Sequence, residues 1–215
     1  MRSCAIFDLD GTIIAHSSEK VFLKYLLEQG DIPVSNLLSW IGDFIKTRNL
    51  RQSKANKIYL RGLNYQYVCD QARTCFTERL VGQIFPQVVD LMESHRSAGR
   101  MIVILSGSLE LLVRLFQAEL KTDVMIGYAL EVVDGHITGR RVGLNPYGEN
   151  KAALVQRLAK EYDFDLNGSY AYGNHYSDVH HLQLVGHPVT VNPDRKLRQI
   201  AIANGWRSEQ FHIGE

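Results

Sequence analysis

Five consecutive apolar residues, Met101-Ile102-Val103-Ile104-Leu105, stand between Gly99-Arg100 and Ser106-Gly107-Ser108. Successive side chains of a strand point to opposite faces, so a run with no polar member must be buried on both sides. Strands of that kind belong to parallel sheets covered by helices on each face. Ala5-Ile6-Phe7 is a second such run, ending at Asp8-Leu9-Asp10-Gly11-Thr12. Tyr170-Ala171-Tyr172, ending at Gly173-Asn174, is a third, and Val189-Thr190-Val191 reads as the last strand. Helical patterns fill the intervals. One holds Val88, Val89, Leu91 and Met92 and stops at Gly99; another holds Leu111, Leu112, Leu115 and Phe116. Two more hold Leu154, Leu158 and Ala159, opening near Asn150, and the stretch from Arg195 to Ala203. Two short strand-like runs between Ala129 and Gly143 meet at Asp134-Gly135, a hairpin signal. The expected fold is α/β, a doubly wound parallel sheet with helices on both faces.

Residues 17–84 break the alternation, for they read as helical throughout. Ser17 or Ser18 caps a helix carrying Val21, Phe22, Tyr25 and Leu26, closed by Gly30. Ser35 opens a second, with Leu37, Leu38, Ile41, Phe44 and Ile45. A third ends near Gly62, and a fourth runs from about Tyr65 to Leu80. The expected organisation is therefore a catalytic core of residues 1–16 and 85–215, with residues 17–84 inserted as a helical cap.

Composition excludes several classes. A net charge of +1 leaves no basic excess for nucleic acid or an anionic membrane. No uncharged apolar run approaches the roughly 18 residues of a membrane span. Charges at Asp8 and Asp10 interrupt any apolar leader, so the cytoplasm is the default expectation. Cys4, Cys69 and Cys75 form no regular framework and read as free thiols.

Four polar groups follow strand ends or open helices: Asp8 with Asp10, Ser106 with Gly107, Lys151, and Asn174 with Asp178. Ligands of open α/β sheets bind outside the carboxyl ends of strands, where these groups can converge. Each has a plainer reading. Asp8 and Asp10 form either a solvated turn or a pair whose repulsion a hard divalent cation relieves. Ser106 is either a helix cap or a phosphate-oxygen ligand. Lys151 reads as a solvated lysine as well, and Asp178 as a first-turn acid suited to the helix dipole. Order and placement, more than any one residue, make the case.

Phe7-Asp8-Leu9-Asp10-Gly11-Thr12 resembles the first motif of the haloacid dehalogenase superfamily. Ser106 after its apolar strand resembles the second, Lys151 the third, and Gly173-Asn174-His175-Tyr176-Ser177-Asp178 the acidic fourth. A helical insertion directly after the first motif resembles the phosphoserine-phosphatase-like branch, subfamily IB. So do the stretches Asp134-Gly135-His136-Ile137-Thr138-Gly139-Arg140 and Val191-Asn192-Pro193-Asp194. The resemblance implies a Rossmann-like core of haloacid dehalogenase type and a Mg²⁺-dependent phosphatase acting on a small phosphorylated metabolite. It implies that Asp8 is the nucleophile and Asp10 the general acid/base. It implies Mg²⁺ held by Asp8, the main-chain carbonyl of Asp10 and Asn174, with Asp178 behind them. Thr12, Ser106, Gly107 and Lys151 are implied phosphate ligands. A phosphotransferase on the same site and a non-catalytic phosphate-binding protein are the alternatives.

Two departures from the family pattern stand out. Asn174 replaces the commoner Asp, which removes a formal charge from the metal set. The cap does not reproduce the glutamate and arginine by which phosphoserine phosphatases grip the amino acid; Glu19, Lys54, Lys57 and Arg61 are the available charges. His175 and the pair His180-His181 read as exposed histidines.

Overall fold

The computed structural model describes residues 2–47 and 56–214, without the side chains of residues 43–47. Lys54, most of the expected third helix, and the side chains of Phe44 and Ile45 lie outside the described residues.

Seven strands form one sheet in the order β4-β3-β2-β1-β5-β6-β7. They are β1 (Cys4–Phe7), β2 (Met101–Leu109), β3 (Val124–Val133), β4 (His136–Val142), β5 (Tyr170–Gly173), β6 (His187–Val191) and β7 (Arg207–Glu209). Every neighbouring pair is parallel except β3 with β4. The chain starts in the middle of the sheet, builds outward through β2 and β3, then returns to the other side of β1 with β5. Strand order therefore reverses at β1, and a crevice opens there at the carboxyl ends of β1, β2 and β5.

The two-sided burial read from the apolar runs is the arrangement found. Ala5, Phe7, Ile102 and Ile104 pack into one hydrophobic cluster, while Cys4, Ile6, Val103 and Leu105 pack into another. The eight helices of the described residues are α1 (Ser18–Gln29), α2 (Val34–Thr47), α3 (Tyr65–Cys75), α4 (Pro86–Ser97), α5 (Glu110–Leu120), α6 (Glu149–Glu161), α7 (Val179–Leu182) and α8 (Arg195–Asn204). The second cluster takes Leu154, Val155 and Leu158 from α6, Leu182 from α7 and Leu197 from α8. The first takes Val88 and Met92 from α4 and Leu112 and Phe116 from α5. It also takes Phe22, Tyr25 and Leu26 from α1 and Val68 and Ala72 from α3. The inserted helical segment thus shares its apolar interior with one face of the sheet.

That segment leaves and re-enters through adjacent pieces of chain. Ala15 N donates to Gln83 O at 3.1 Å, and Phe85 N donates to Ile13 O at 3.0 Å. It also leans on the β3–β4 hairpin: Gly62 N donates to Ile137 O at 2.7 Å and Tyr65 N to Gly135 O at 2.8 Å. Asp134 and Gly135 both have positive φ, 48° and 77°, as the two central residues of a tight hairpin turn require.

Several local expectations need correction. Ser35 does not open α2, because the helix begins one residue earlier and Pro33 O accepts the amides of Asn36 and Leu37. The described end of the third helical stretch is a single 3₁₀ turn, Ile58–Leu60. The fourth is α-helical only to Cys75 and continues as a π-helical turn, Phe76–Leu80. β3 starts at Val124, five residues before the alternation at Ala129, because its first half pairs in parallel with β2. Val191 does not end the last strand: Arg207-Ser208-Glu209 adds β7 at the edge through backbone pairing with β6. The three cysteines are free thiols, as expected.

Candidate active site

β1 ends at Phe7, and the chain breaks away from the sheet at Asp8 with the amide still donating to Tyr172 O at 3.0 Å. The loop closes on itself. Ile13 N and Ile14 N both donate to Leu9 O, at 2.8 and 3.1 Å, and Gly11 N donates to Ile14 O at 2.7 Å. Gly11 is required at this turn for two reasons. Its φ is +83°, and a Cβ there would lie 2.0 Å from Asn174 Nδ2. The close approach brings the first loop and the loop after β5 into contact.

Asp8 lies at the centre of a buried ionic triad. Lys151 Nζ, from the first turn of α6, donates to Asp8 Oδ1 at 2.6 Å and to Asp178 Oδ1 at 2.7 Å. All three residues are buried. Asp178 Oδ2 also accepts the amides of Asn174 at 3.3 Å and His175 at 3.1 Å, which folds the loop after β5 around it. Burial pushes the Asp8 carboxyl up to about 7; Lys151 opposes the rise and Asp178 adds to it. Burial acts to raise Asp178 too, but Lys151 and His181 with the loop's hydrogen bonds hold it below its ordinary value. Desolvation works against the Lys151 charge, yet Asp178 and Asp8 together raise its pKa, so the ammonium persists.

Asp10 points elsewhere, into the start of α1. Its Oδ1 accepts from Ser18 N at 3.0 Å and Ser18 Oγ at 2.7 Å, and its Oδ2 accepts from Ser108 Oγ at 2.8 Å and Ser17 Oγ at 3.2 Å. A carboxylate at a helix N-terminus is favourably placed against the helix dipole. Three hydroxyls and one amide, drawn from the Ser17 cap, the first residue of α1 and β2, hold it in one orientation.

A cavity of about 750 Å³ opens beside these groups. Asp8, Asp10, Ser106, Gly107, Lys151, Asn174 and Asp178 all line it, so seven of the eight residues singled out from sequence converge. Thr12 does not line it; it is fully buried and its Oγ1 has no hydrogen-bond partner among the described residues. Asn174 Oδ1 is likewise buried without a partner.

Ser106 differs in setting from the expectation. It does not cap the following helix, because β2 continues through Leu109 and α5 opens only at Glu110. Its Oγ accepts instead from Ser108 N at 3.1 Å. His181, expected at the surface, is fully buried, and its imidazole is pushed down to about 3 by desolvation and by Lys151. His175 is exposed as expected, and His180 is half-buried. Glu19 and Lys57 face the cavity as an ion pair, Nζ to Oε1 at 2.5 Å, while Arg61 is exposed and outside its wall.

Neither the clamp on Asp10 nor the far wall of the cavity has a signature in the sequence. The sequence marks Ser17 and Ser18 only as helix caps, and nothing in it points Ser108 toward Asp10. Trp40, Tyr59 and Tyr128 line the cavity from three separate elements, and no spacing connects them.

Comparison with known proteins shows the family. The family described as haloacid dehalogenase-like hydrolase matches residues 5–183. A Streptomyces azureus protein named for inhibition of morphological differentiation is 34% identical over 98% of this chain and 79% of its own. A probable phosphatase of Mycobacterium tuberculosis is 33% identical over 95% of this chain and 74% of its own. The phosphoserine phosphatase SerB1 of the same organism is 27% identical over 99% and 72%. Among solved structures, a Bordetella pertussis protein of unknown function superposes with a TM-score of 0.86 at 21% identity, covering 100% of both chains. A phosphoserine phosphatase carrying an analogue of its phospho-aspartyl intermediate superposes with a TM-score of 0.68 at 14% identity, over 97% of this chain and 93% of its own. The chain belongs to the haloacid dehalogenase-like hydrolases and is a phosphatase of the group related to phosphoserine phosphatases.

Proposed function

We propose that the chain is a Mg²⁺-dependent phosphomonoesterase that carries the phosphoryl group on Asp8 and passes it to water. The observation that carries this reading is the triad Asp8–Lys151–Asp178, beside a cavity wall in which Asn174 Oδ1 is buried and unpartnered. A buried polar atom without a partner is costly unless a ligand completes it. The oxygens on offer are the Asp8 carboxylate, the Asp10 main-chain carbonyl and the Asn174 amide. They are hard donors suited to Mg²⁺, which characteristically uses few carboxylates and keeps waters and phosphate oxygens as its other ligands. Among the described residues no three His, Cys, Asp or Glu side chains gather into a denser metal site. A bound Mg²⁺ would neutralise charge on the phosphoryl oxygens.

The side chains divide the work as follows. Asp8 attacks phosphorus through a carboxylate oxygen, and the bond from phosphorus to the leaving oxygen breaks. Asp10 gives that oxygen a proton, then takes one from the water that attacks the acyl phosphate. The Asp8–phosphorus bond breaks in this second step and inorganic phosphate leaves. Lys151, Ser106 and the Gly107 amide hold phosphoryl oxygens, since positioning and charge neutralisation dominate this chemistry. Thr12 would need its hydroxyl to reach the cavity to join them. Residues 17–84 act as the cap that covers the site.

Phosphate release from an aryl phosphate with Mg²⁺ tests the reading. Asp8→Asn should lose more than about a hundredfold in turnover, because the amide cannot form the acyl phosphate. An Asp8→Asn protein with a native circular dichroism spectrum and more than about a tenth of wild-type turnover would rule the mechanism out.

A further inference from the structure

The cavity is far larger than a phosphate needs, and its outer part has a composition of its own. Leu23 of α1, Trp40 and Ile41 of α2, Tyr59 of the 3₁₀ turn and Tyr128 of β3 line it together with Glu19 and Lys57. Trp40 meets Tyr59 edge-on, with ring centroids 5.8 Å apart at 68°. Tyr59 and Tyr128 are almost completely buried by the protein, so their rings are fixed walls.

The charges in this part of the cavity are committed to each other. Lys57 Nζ contacts Glu19 Oε1 at 2.5 Å and sits 4.8 Å from the centroid of the Tyr128 ring. Tyr59 donates its hydroxyl to the same Glu19 oxygen at 3.0 Å. Burial and the Glu19 charge raise both phenols further above neutral pH, so neither adds a charge. Lys20, which also lines the cavity, is exposed to solvent. A zwitterionic leaving group needs one cation and one anion ready to receive it, and here Lys57 and Glu19 already hold each other. A zwitterion would have to exchange that pair for new ones, which offsets most of what its own charges gain. A neutral ring instead meets the indole of Trp40 and the aliphatic side chains of Leu23 and Ile41 without disturbing the pair.

We propose that this part of the cavity is a specificity subsite for a flat, uncharged, aromatic leaving group, with Trp40 as the residue that selects it. The inference rests on the phosphatase reading above and narrows it to phosphate monoesters of ring-bearing alcohols. Trp40 is the discriminating residue because it is only half-buried by the protein, so part of its surface remains for a substrate ring to cover. Tyr59 and Tyr128 have almost none left.

The test compares kcat/KM for 2-phenylethyl phosphate, ethyl phosphate and O-phosphoserine in the wild type, Trp40→Ala and Trp40→Phe. In the wild type, phenylethyl phosphate should exceed ethyl phosphate by about tenfold or more, the scale expected for burying one aromatic ring, and should exceed phosphoserine as well. Trp40→Ala should shrink the phenylethyl-to-ethyl ratio by about fivefold, and Trp40→Phe should retain most of it. A wild-type ratio near one, a preference for phosphoserine, or an unchanged ratio in folded Trp40→Ala would overturn the subsite while leaving the phosphatase reading intact. If Trp40→Ala fails to fold, the wild-type ranking and the Trp40→Phe ratio decide alone. If folded, Mg²⁺-supplemented wild type turns over none of the three esters, phosphate release from the aryl phosphate separates the readings: turnover there overturns the subsite alone, and none there sinks both.

Discussion

Asn174 shows how one residue can be legible in kind and obscure in consequence. As the first polar residue after β5 it was identified from position, and its departure from the commoner Asp was visible at once. Its tight seat against Gly11, with Nδ2 only 2.0 Å from where a Cβ would stand, was not visible. That seat fixes the amide, and Oδ1 is left as the atom without a partner. If Oδ1 binds Mg²⁺, Asn174→Ala should raise the Mg²⁺ concentration for half-maximal activity by about tenfold or more, because removing a ligand costs at least as much as removing a group that orients one. Asn174→Asp should lower it several-fold at most, because repulsion from Asp8 and Asp178 offsets most of the added attraction. Titration of activity against Mg²⁺ reads both, and identical midpoints for the three proteins would remove Asn174 from the metal site. The serine clamp on Asp10 was illegible for a different reason. Ser17 and Ser108 lie far apart in sequence, and only the packing of α1 against the end of β2 brings their hydroxyls to one carboxylate.

Among the elements, α5 approaches β3 closely. A Cβ on Gly127 would stand 2.6 Å from Glu110 Cα and 3.0 Å from Glu110 N, so backbone meets backbone with no flexible side chain to give way. Gly127→Ala should therefore destabilise the fold by about 1–3 kcal/mol, with the urea midpoint lowered and the slope unchanged. An unchanged midpoint would mean that the helix can shift freely on the sheet. Strands buried on both faces were the easiest elements to read, since an unbroken apolar run such as Met101–Leu105 has few other homes. β7 was missed because Arg207-Ser208-Glu209 carries no apolar signal; it forms only because β6 presents an open edge to it. The true end of β2 was missed because Ser106-Gly107-Ser108 looks like a loop, and its continuation as strand depends on pairing of Leu109 with Tyr128. His181 was misjudged because a His-His pair in a polar stretch looks solvated. Helix α7 is short, and it turns one histidine wholly into the interior.

Across the whole molecule, stability responds to pH through buried groups outside the cavity as well as within it. His95 of α4 is buried against the sheet, with Nε2 2.8 Å from the Tyr172 hydroxyl. Burial and the nearby Arg100 push its pKa down from 6.5 to about 4. The unfolded chain therefore binds this proton more readily than the folded one. The resulting stability is present above pH 6.5 and is lost as pH falls toward 4, by at most about 3 kcal/mol. His95→Gln keeps a hydrogen-bonding group without the titration, so its urea midpoint should fall less steeply than that of the wild type over this range; parallel curves would contradict the assignment. The central claim concerns Asp8, and trapping tests it most directly. Asp10→Asn should still be phosphorylated by an activated aryl phosphate, whose leaving group needs little acid help, but should be slow to lose the phosphoryl group to water. After rapid acid quench and proteolysis, mass spectrometry should find one added phosphoryl mass on the peptide that contains Asp8, and none when Asp8→Asn is introduced alongside. Turnover of the aryl phosphate with no adduct, or an adduct on any other residue, would contradict the account.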